Sequence, residues 1–232
     1  MLSLLCGLSL VFAYAPFSLW FIPFISLPIW LNCLERKAAK QAFQRGFFFG
    51  LGWFIAGIGW VNVSIEDFGG LPFGMSYLLT LILSIYLAFY PALACYLSAK
   101  LSPTKNVNIY LLPAAWLIGE FLRAHVLTGF PWLSIGYSQT NSPLNILAPI
   151  IGEIGLSIAV LLTSIVLLNT ISSRNFTLGL STFSILLVTT FSLNQVSWIK
   201  STDKSITVAL IQGNIEQSMR WTPDDAWPTM FK

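Results

Sequence analysis

Few side chains in this 232-residue sequence could carry out chemistry, because charged residues make up only 9% of it and hydrophobic ones 56%. Glu120 and Arg123 stand three apart near the end of an apolar run, so a helix would put them on one face, where they could pair. Arg123 and the single histidine, His125, are close enough to that run's end to be solvated or to snorkel to a membrane interface. Glu153, in Ile151-Gly152-Glu153-Ile154-Gly155, needs an interfacial position or a polar partner. Cys6, Cys33 and Cys95 lie in or beside apolar runs and read as packing residues, with no spacing for a disulfide framework or a metal site. One histidine cannot complete a Ser-His-Asp set, and no glycine loop cradles a phosphate. The sequence therefore calls for no metal and no cofactor.

The segment Leu127-Thr128-Gly129-Phe130-Pro131-Trp132-Leu133-Ser134-Ile135-Gly136-Tyr137-Ser138-Gln139 carries aromatics, Gly and Pro turns and no charge. Such a composition suits the headgroup level of a bilayer. It reads either as an aromatic belt anchoring a loop or as a lipid-facing surface through which an acyl-chain substrate enters.

Apolar runs must position these residues. A bilayer crossing takes roughly 20 apolar residues, and runs bounded by charge, Pro or Gly predict spans near 1–14, 19–34, 43–64, 74–99, 108–127, 145–169 and 177–198. The first is short and lacks the basic start and small-residue cleavage site of a secretory signal, so a few further residues are expected upstream of Met1. The first two runs, flanking Ala15-Pro16-Phe17, could instead form one re-entrant hairpin. In the third, Gly46 and Gly50 have the small-xxx-small spacing that lets helices approach closely.

Arg36, Lys37, Lys40 and Arg45, then Lys100 and Lys105, then Arg174 fall in alternate loops, which the positive-inside rule makes cytoplasmic. The Ala15–Ser18 turn, the Glu66-Asp67 loop and the stretch from Thr128 to Pro143 face the other way. The formal charge of +3 is scattered among loops, which excludes a nucleic-acid-binding patch. After Trp198 the alternating, β-branched run Ser205–Gln212 predicts a strand, and a lone strand cannot satisfy its own edges, so it reads as the start of an unfinished soluble domain.

Several motifs in order resemble bacterial apolipoprotein N-acyltransferase: Trp60-Val61-Asn62-Val63-Ser64-Ile65 before Phe68-Gly69-Gly70, Glu120-Phe121-Leu122-Arg123, Leu127-Thr128-Gly129-Phe130-Pro131-Trp132, Gly136-Tyr137-Ser138-Gln139, and Leu210-Ile211-Gln212-Gly213-Asn214-Ile215 with Trp221. The resemblance implies a multi-pass enzyme of the bacterial inner membrane that moves an acyl chain from a phospholipid to the α-amine of a diacylglyceryl-cysteine on a lipoprotein. It implies a Glu-Lys-Cys triad in a periplasmic nitrilase-like domain: the thiolate is acylated, the carboxylate acts as base and the lysine stabilises the oxyanion. None of the three cysteines here matches the nucleophile, and the triad is expected downstream of Lys232.

The expected fold is thus an all-α polytopic membrane bundle of about seven helices over 1–198, followed at 199–232 by the incomplete start of an α/β nitrilase-like domain with its C-terminal segment periplasmic. No residue of the chain is expected to be catalytic. Candidate substrate-binding residues are Trp221, Phe130, Trp132, Tyr137 and Arg123, Trp221 having an interfacial aromatic as its plain alternative. The expected partners are the phospholipid acyl donor, the diacylated lipoprotein acceptor and membrane lipid. Two other readings are a membrane scaffold that holds lipid or complements a separately encoded catalytic domain, and a small transporter built on Glu120, Arg123 and Glu153.

Overall fold

A computed structural model describes residues 1–69, 71–173, 176–196, 205 and 207–212. Among them the chain is helical, as a sequence with so little to hydrogen-bond outside its own backbone must be in lipid. The helices are α1 (Leu2–Ser9), prolonged by a 3₁₀ turn at Leu10–Ala13, then α2 (Pro23–Leu34), α3 (Ala39–Gly57), α4 (Val61–Gly69), α5 (Phe73–Lys100), α6 (Leu112–His125), α7 (Ala148–Ser173) and α8 (Phe176–Leu193).

Every expected span contains a helix, but the lengths differ from those expected. Gly74–Lys100 and Pro143–Ser173 are long and apolar enough to cross a membrane. The expected third span is instead α3 and α4, bent by 53° at Ile58–Trp60; taken as one unit they would make a third crossing. Leu2–Ala13 and Pro23–Leu34 are shorter apolar helices. With 14 residues, α6 rises about 21 Å, and Glu120 and Arg123 interrupt its apolar run.

Among the described residues of the expected strand at Ser205–Gln212, no strand is formed: Ser205 and Thr207–Gln212 are exposed and without regular structure. No partner strand is present among the described residues to take up the backbone groups that a strand leaves open on both edges. Trp221 lies outside the described residues.

Helix α3 runs at the centre, against α1 on one side and α5 on the other. Glycine permits the second approach. A Cβ on Gly46 would lie 2.7 Å from the carbonyl oxygen of Pro91, and one on Gly50 2.9 Å from the Cα of Ala88. These are backbone atoms that cannot swing aside, so the small-xxx-small pair does what its spacing predicts and seats α3 on α5. Above this seam large rings fill the core. Trp30 stacks on Phe49 with centroids 4.0 Å apart, and Trp53 lies between Phe54 at 5.0 Å and Trp116 at 6.2 Å, both stacked. Trp30, Phe49, Trp53 and Phe54 are almost wholly buried. Cys6 and Cys95 are buried free thiols and Cys33 is half-buried, as packing residues would be.

At one end of the bundle two loops are tied together. Ala38 and Asn106 form an isolated antiparallel bridge, and the Val107 N–H donates to the Lys37 carbonyl at 2.8 Å. These are two of the loops that charge assigns to a common side. At the other end the Ala15–Ser18 turn and the 132–141 segment, two of the stretches expected on the opposite side, line one cavity together with Trp60.

The α3–α5 seam makes a direct prediction. Gly50→Val should lower stability by about 1–3 kcal/mol through overpacking, read as a lower unfolding temperature in detergent. Gly74→Ala, in α5 with no atom within 4 Å of the added carbon, should leave it unchanged or slightly raised.

Candidate functional site

The candidate residues gather where α6 ends and the chain turns into an irregular stretch. Between α6 and α7 the backbone makes 3₁₀ turns at Val126–Thr128, Ile135–Gln139 and Pro143–Leu147. Leu127, Thr128, Gly129 and Leu133 all have positive φ. Non-glycine residues adopt that region only when their surroundings hold them there. The holding groups come from α6, α7 and the chain's first turn.

Arg123 is the first of them. It is only 4% exposed, contrary to the expectation of a solvated or snorkelling side chain. Its Nη1 donates to the carbonyls of Phe130 at 2.7 Å and Trp132 at 2.5 Å, while the Phe130 N–H donates back to the Arg123 carbonyl at 2.8 Å. The guanidinium also lies over the Phe54 ring, 5.8 Å from its centroid. A guanidinium offers five N–H donors and no acceptor, so it suits a loop whose irregular backbone leaves carbonyls pointing inward.

Glu120 is the second, 7% exposed. Its hydrogen bonds come from serines rather than from the neighbouring arginine. The Ser134 and Ser157 hydroxyls lie 3.2 and 3.3 Å from Oε1 and 2.9 Å from each other, and the Gly136 N–H donates to Ser157 Oγ at 2.9 Å. The two charges on one face of α6 are thus each turned to different parts of the same loop. Their mutual attraction still offsets part of the cost of burying both.

Further ties complete the clamp. Tyr14 donates to the carbonyls of Leu133 and Ser134, and Gln139 Nε2 donates to the Trp20 carbonyl at 3.1 Å. The loop is therefore fastened to the chain's first turn as well as to α6 and α7. Ser134, Ser157, Tyr14 and Gln139 went unnoticed as individual residues in the sequence. Nothing in an apolar pattern distinguishes a serine that caps a carboxylate from one that lets two helices pack.

With its backbone fixed, the segment divides its aromatics. Phe130 is partly buried against the core and meets Trp132 at 4.9 Å between centroids. Trp132 and Tyr137 are about half exposed, as are Trp60 and Val63. Trp132, Tyr137, Trp60 and Tyr14 line a cavity of about 340 Å³, and Tyr137 also lines an adjoining one of about 500 Å³ with Thr140, Asn145 and Glu153. Arg123, Glu120, Trp53 and Trp116 line a third, interior space of only about 10 Å³. Of the candidate residues, the structure brings Arg123, Phe130, Trp132 and Tyr137 together. His125 is exposed, stacked on Phe121 and outside this cluster. Among the described residues no group of three His, Cys, Asp or Glu could hold a metal ion.

The clamp can be dissected. Arg123→Ala strands two inward carbonyls and leaves Glu120 buried without its counter-charge, a change that costs about 3–5 kcal/mol. Glu120→Gln, which keeps an acceptor for the serines, should cost less. Thermal unfolding in detergent, with proteolytic nicking at residues 126–134 as a local readout, should rank the variants in that order.

Comparison with known proteins places this geometry. Residues 6–166 match the family model for the apolipoprotein N-acyltransferase N-terminal domain. The chain is 41% identical to the apolipoprotein N-acyltransferase of Shewanella oneidensis and 37% identical to that of Photobacterium profundum, over 100% of its own length and 45% of theirs. It is 36% identical to that of Haemophilus influenzae, over 99% of its length and 45% of the relative's. It thus spans about half the length of these curated relatives, and all of the clamp residues, from Tyr14 to Ser157, fall within the matched domain. The chain belongs to the apolipoprotein N-acyltransferase family, to which it corresponds as an N-terminal part.

Proposed function

We propose that this chain is the membrane platform of an enzyme that moves an acyl chain from phospholipid to the α-amine of a diacylated lipoprotein. The observation that carries the reading is the family match over residues 6–166, which includes the whole of the clamped loop. In this reading the bundle makes seven passes through the inner membrane, residues 1–198 form it, and residues 199–232 lead into a periplasmic nitrilase-like domain that brings the catalytic triad. The grouping of loops at the two ends of the bundle agrees with that topology.

The platform's task is positional. Phe130, Trp132 and Tyr137 lie where apolar helix ends meet uncharged loop, a setting in which aromatic side chains sit at headgroup depth. Held there by Arg123, they present apolar area beside two open cavities, and an acyl chain leaving the bilayer can be received without being exposed to water. Trp221, in the segment leading to the nitrilase-like domain, would face the same substrate. The chemistry itself needs a reactive thiolate. The two buried cysteines and half-buried Cys33 cannot serve, being packed in the bundle rather than placed at the loop.

Two results test this. The 232-residue polypeptide assayed by itself should transfer no acyl group to a diacylated lipopeptide; transfer would sink the reading. Exchanged for the corresponding part of the Shewanella oneidensis enzyme, the chain should support transfer, and Arg123→Ala within the exchanged part should lower the rate about 10–100-fold through misplacement of the loop.

A further inference from the structure

Glu153 takes no part in the clamp. Helix α7 is broken at Gly152, whose φ of 65° and ψ of −175° are non-helical, and Glu153 opens the regular helix that follows. Its Oε2 is buried without a hydrogen-bond partner. The side chain lines the cavity of about 500 Å³ together with Tyr137, Thr140, Asn145 and Pro149. A buried carboxylate oxygen left without a donor is costly, although the Glu153 residue as a whole is partly exposed. The nearby cation, Arg123, has its Nη1 on the carbonyls of Phe130 and Trp132.

The cavity's chemistry narrows what could answer that carboxylate. It holds one acid, a phenol, a hydroxyl and an amide, all able to accept hydrogen bonds. Among the described residues no set of three acids, cysteines or histidines is present to bind a metal ion. A primary ammonium has three donors and no acceptor, so one N–H can go to Glu153 and the others to neutral oxygens, with the Tyr137 ring alongside for a cation–π contact. A quaternary ammonium has no N–H to give, and an anionic group would be repelled. The volume is in the range of small-molecule sites, with room for a headgroup or a peptide's first residue.

We propose that the Glu153 cavity is a primary-ammonium site. Given the function proposed above, on which the choice of ligands rests, two sources offer this group: the ethanolamine headgroup of a phospholipid donor and the free α-amine of a lipoprotein acceptor. Both must come to the clamped loop, and Tyr137 lines this cavity as well as the neighbouring one.

The test uses the full chain in nanodiscs, with retained lipids counted by native mass spectrometry. Phosphatidylethanolamine should be kept about tenfold over phosphatidylcholine and phosphatidylglycerol if the headgroup is the ligand, the worth of one charge-assisted hydrogen bond. A diacylated lipopeptide with a free amine should be kept by the same factor over its N-acetylated form if the acceptor is. Glu153→Gln should abolish whichever preference is found, without lowering the unfolding temperature. Equal retention in both arms, or a preference that survives in Glu153→Gln, overturns the site. Acyl transfer by the exchanged enzyme is read separately, so a failed ammonium site and a failed acyltransferase reading give different results.

Discussion

The structure depends on two opposite charges buried in one short helix and answered by an uncharged loop. An ionised side chain inside a bundle costs several kcal/mol unless it is paired and hydrogen-bonded. Here Glu120 and Arg123 partly neutralise each other, Arg123 Nη1 is taken up by the Phe130 and Trp132 carbonyls and Glu120 Oε1 by two serines, while Glu120 Oε2 is buried without a partner. The same requirement that makes the charges tolerable makes the loop rigid. Irregular backbone in a membrane protein is tolerated where protein groups satisfy it, and that is the bargain struck between α6 and the segment that follows.

The rest of the bundle gives this arrangement a fixed frame. Gly46 and Gly50 bring α3 and α5 to backbone contact, and the rings of Trp30, Phe49, Trp53 and Trp116 fill the space next to the charged pair. Phe54 belongs to both groups, stacked on Trp53 and lying under the Arg123 guanidinium. A shift of α3 would therefore reach the loop through this ring and, directly, at Gly57, against which the Leu133 side chain packs. That the family's N-terminal domain match covers residues 6–166 is consistent with frame and clamp forming one unit.

What could be read in the sequence depended on how local the cause was. Helices were legible from apolar runs, and the Gly46–Gly50 approach from its spacing, because both are set within a few residues. The motifs around Glu120, Arg123 and Phe130–Trp132 coincide with the buried charges and the loop they hold. Their roles did not show: a three-residue spacing suggested that Glu120 and Arg123 bond to each other, whereas partners at positions 130, 132, 134 and 157 take those bonds. The break between α3 and α4 was likewise missed, since an unbroken apolar run at 43–64 contains no proline to announce it. The strand expected at Ser205–Gln212 is a third case, because alternation states a preference that only a neighbouring strand can realise.

The order of the clamp's parts along the chain has a consequence for synthesis. Helix α6 leaves the ribosome carrying both charges, while the groups that satisfy them, from Phe130 to Ser157, are translated afterwards. Until they are made, α6 is a short segment with two ionisable residues toward its C-terminal end and none of the loop groups that answer them. Its seat becomes favourable when the start of α7 arrives. The middle of this bundle is therefore completed from its C-terminal side, by residues that did not yet exist when the helix they hold in place was made.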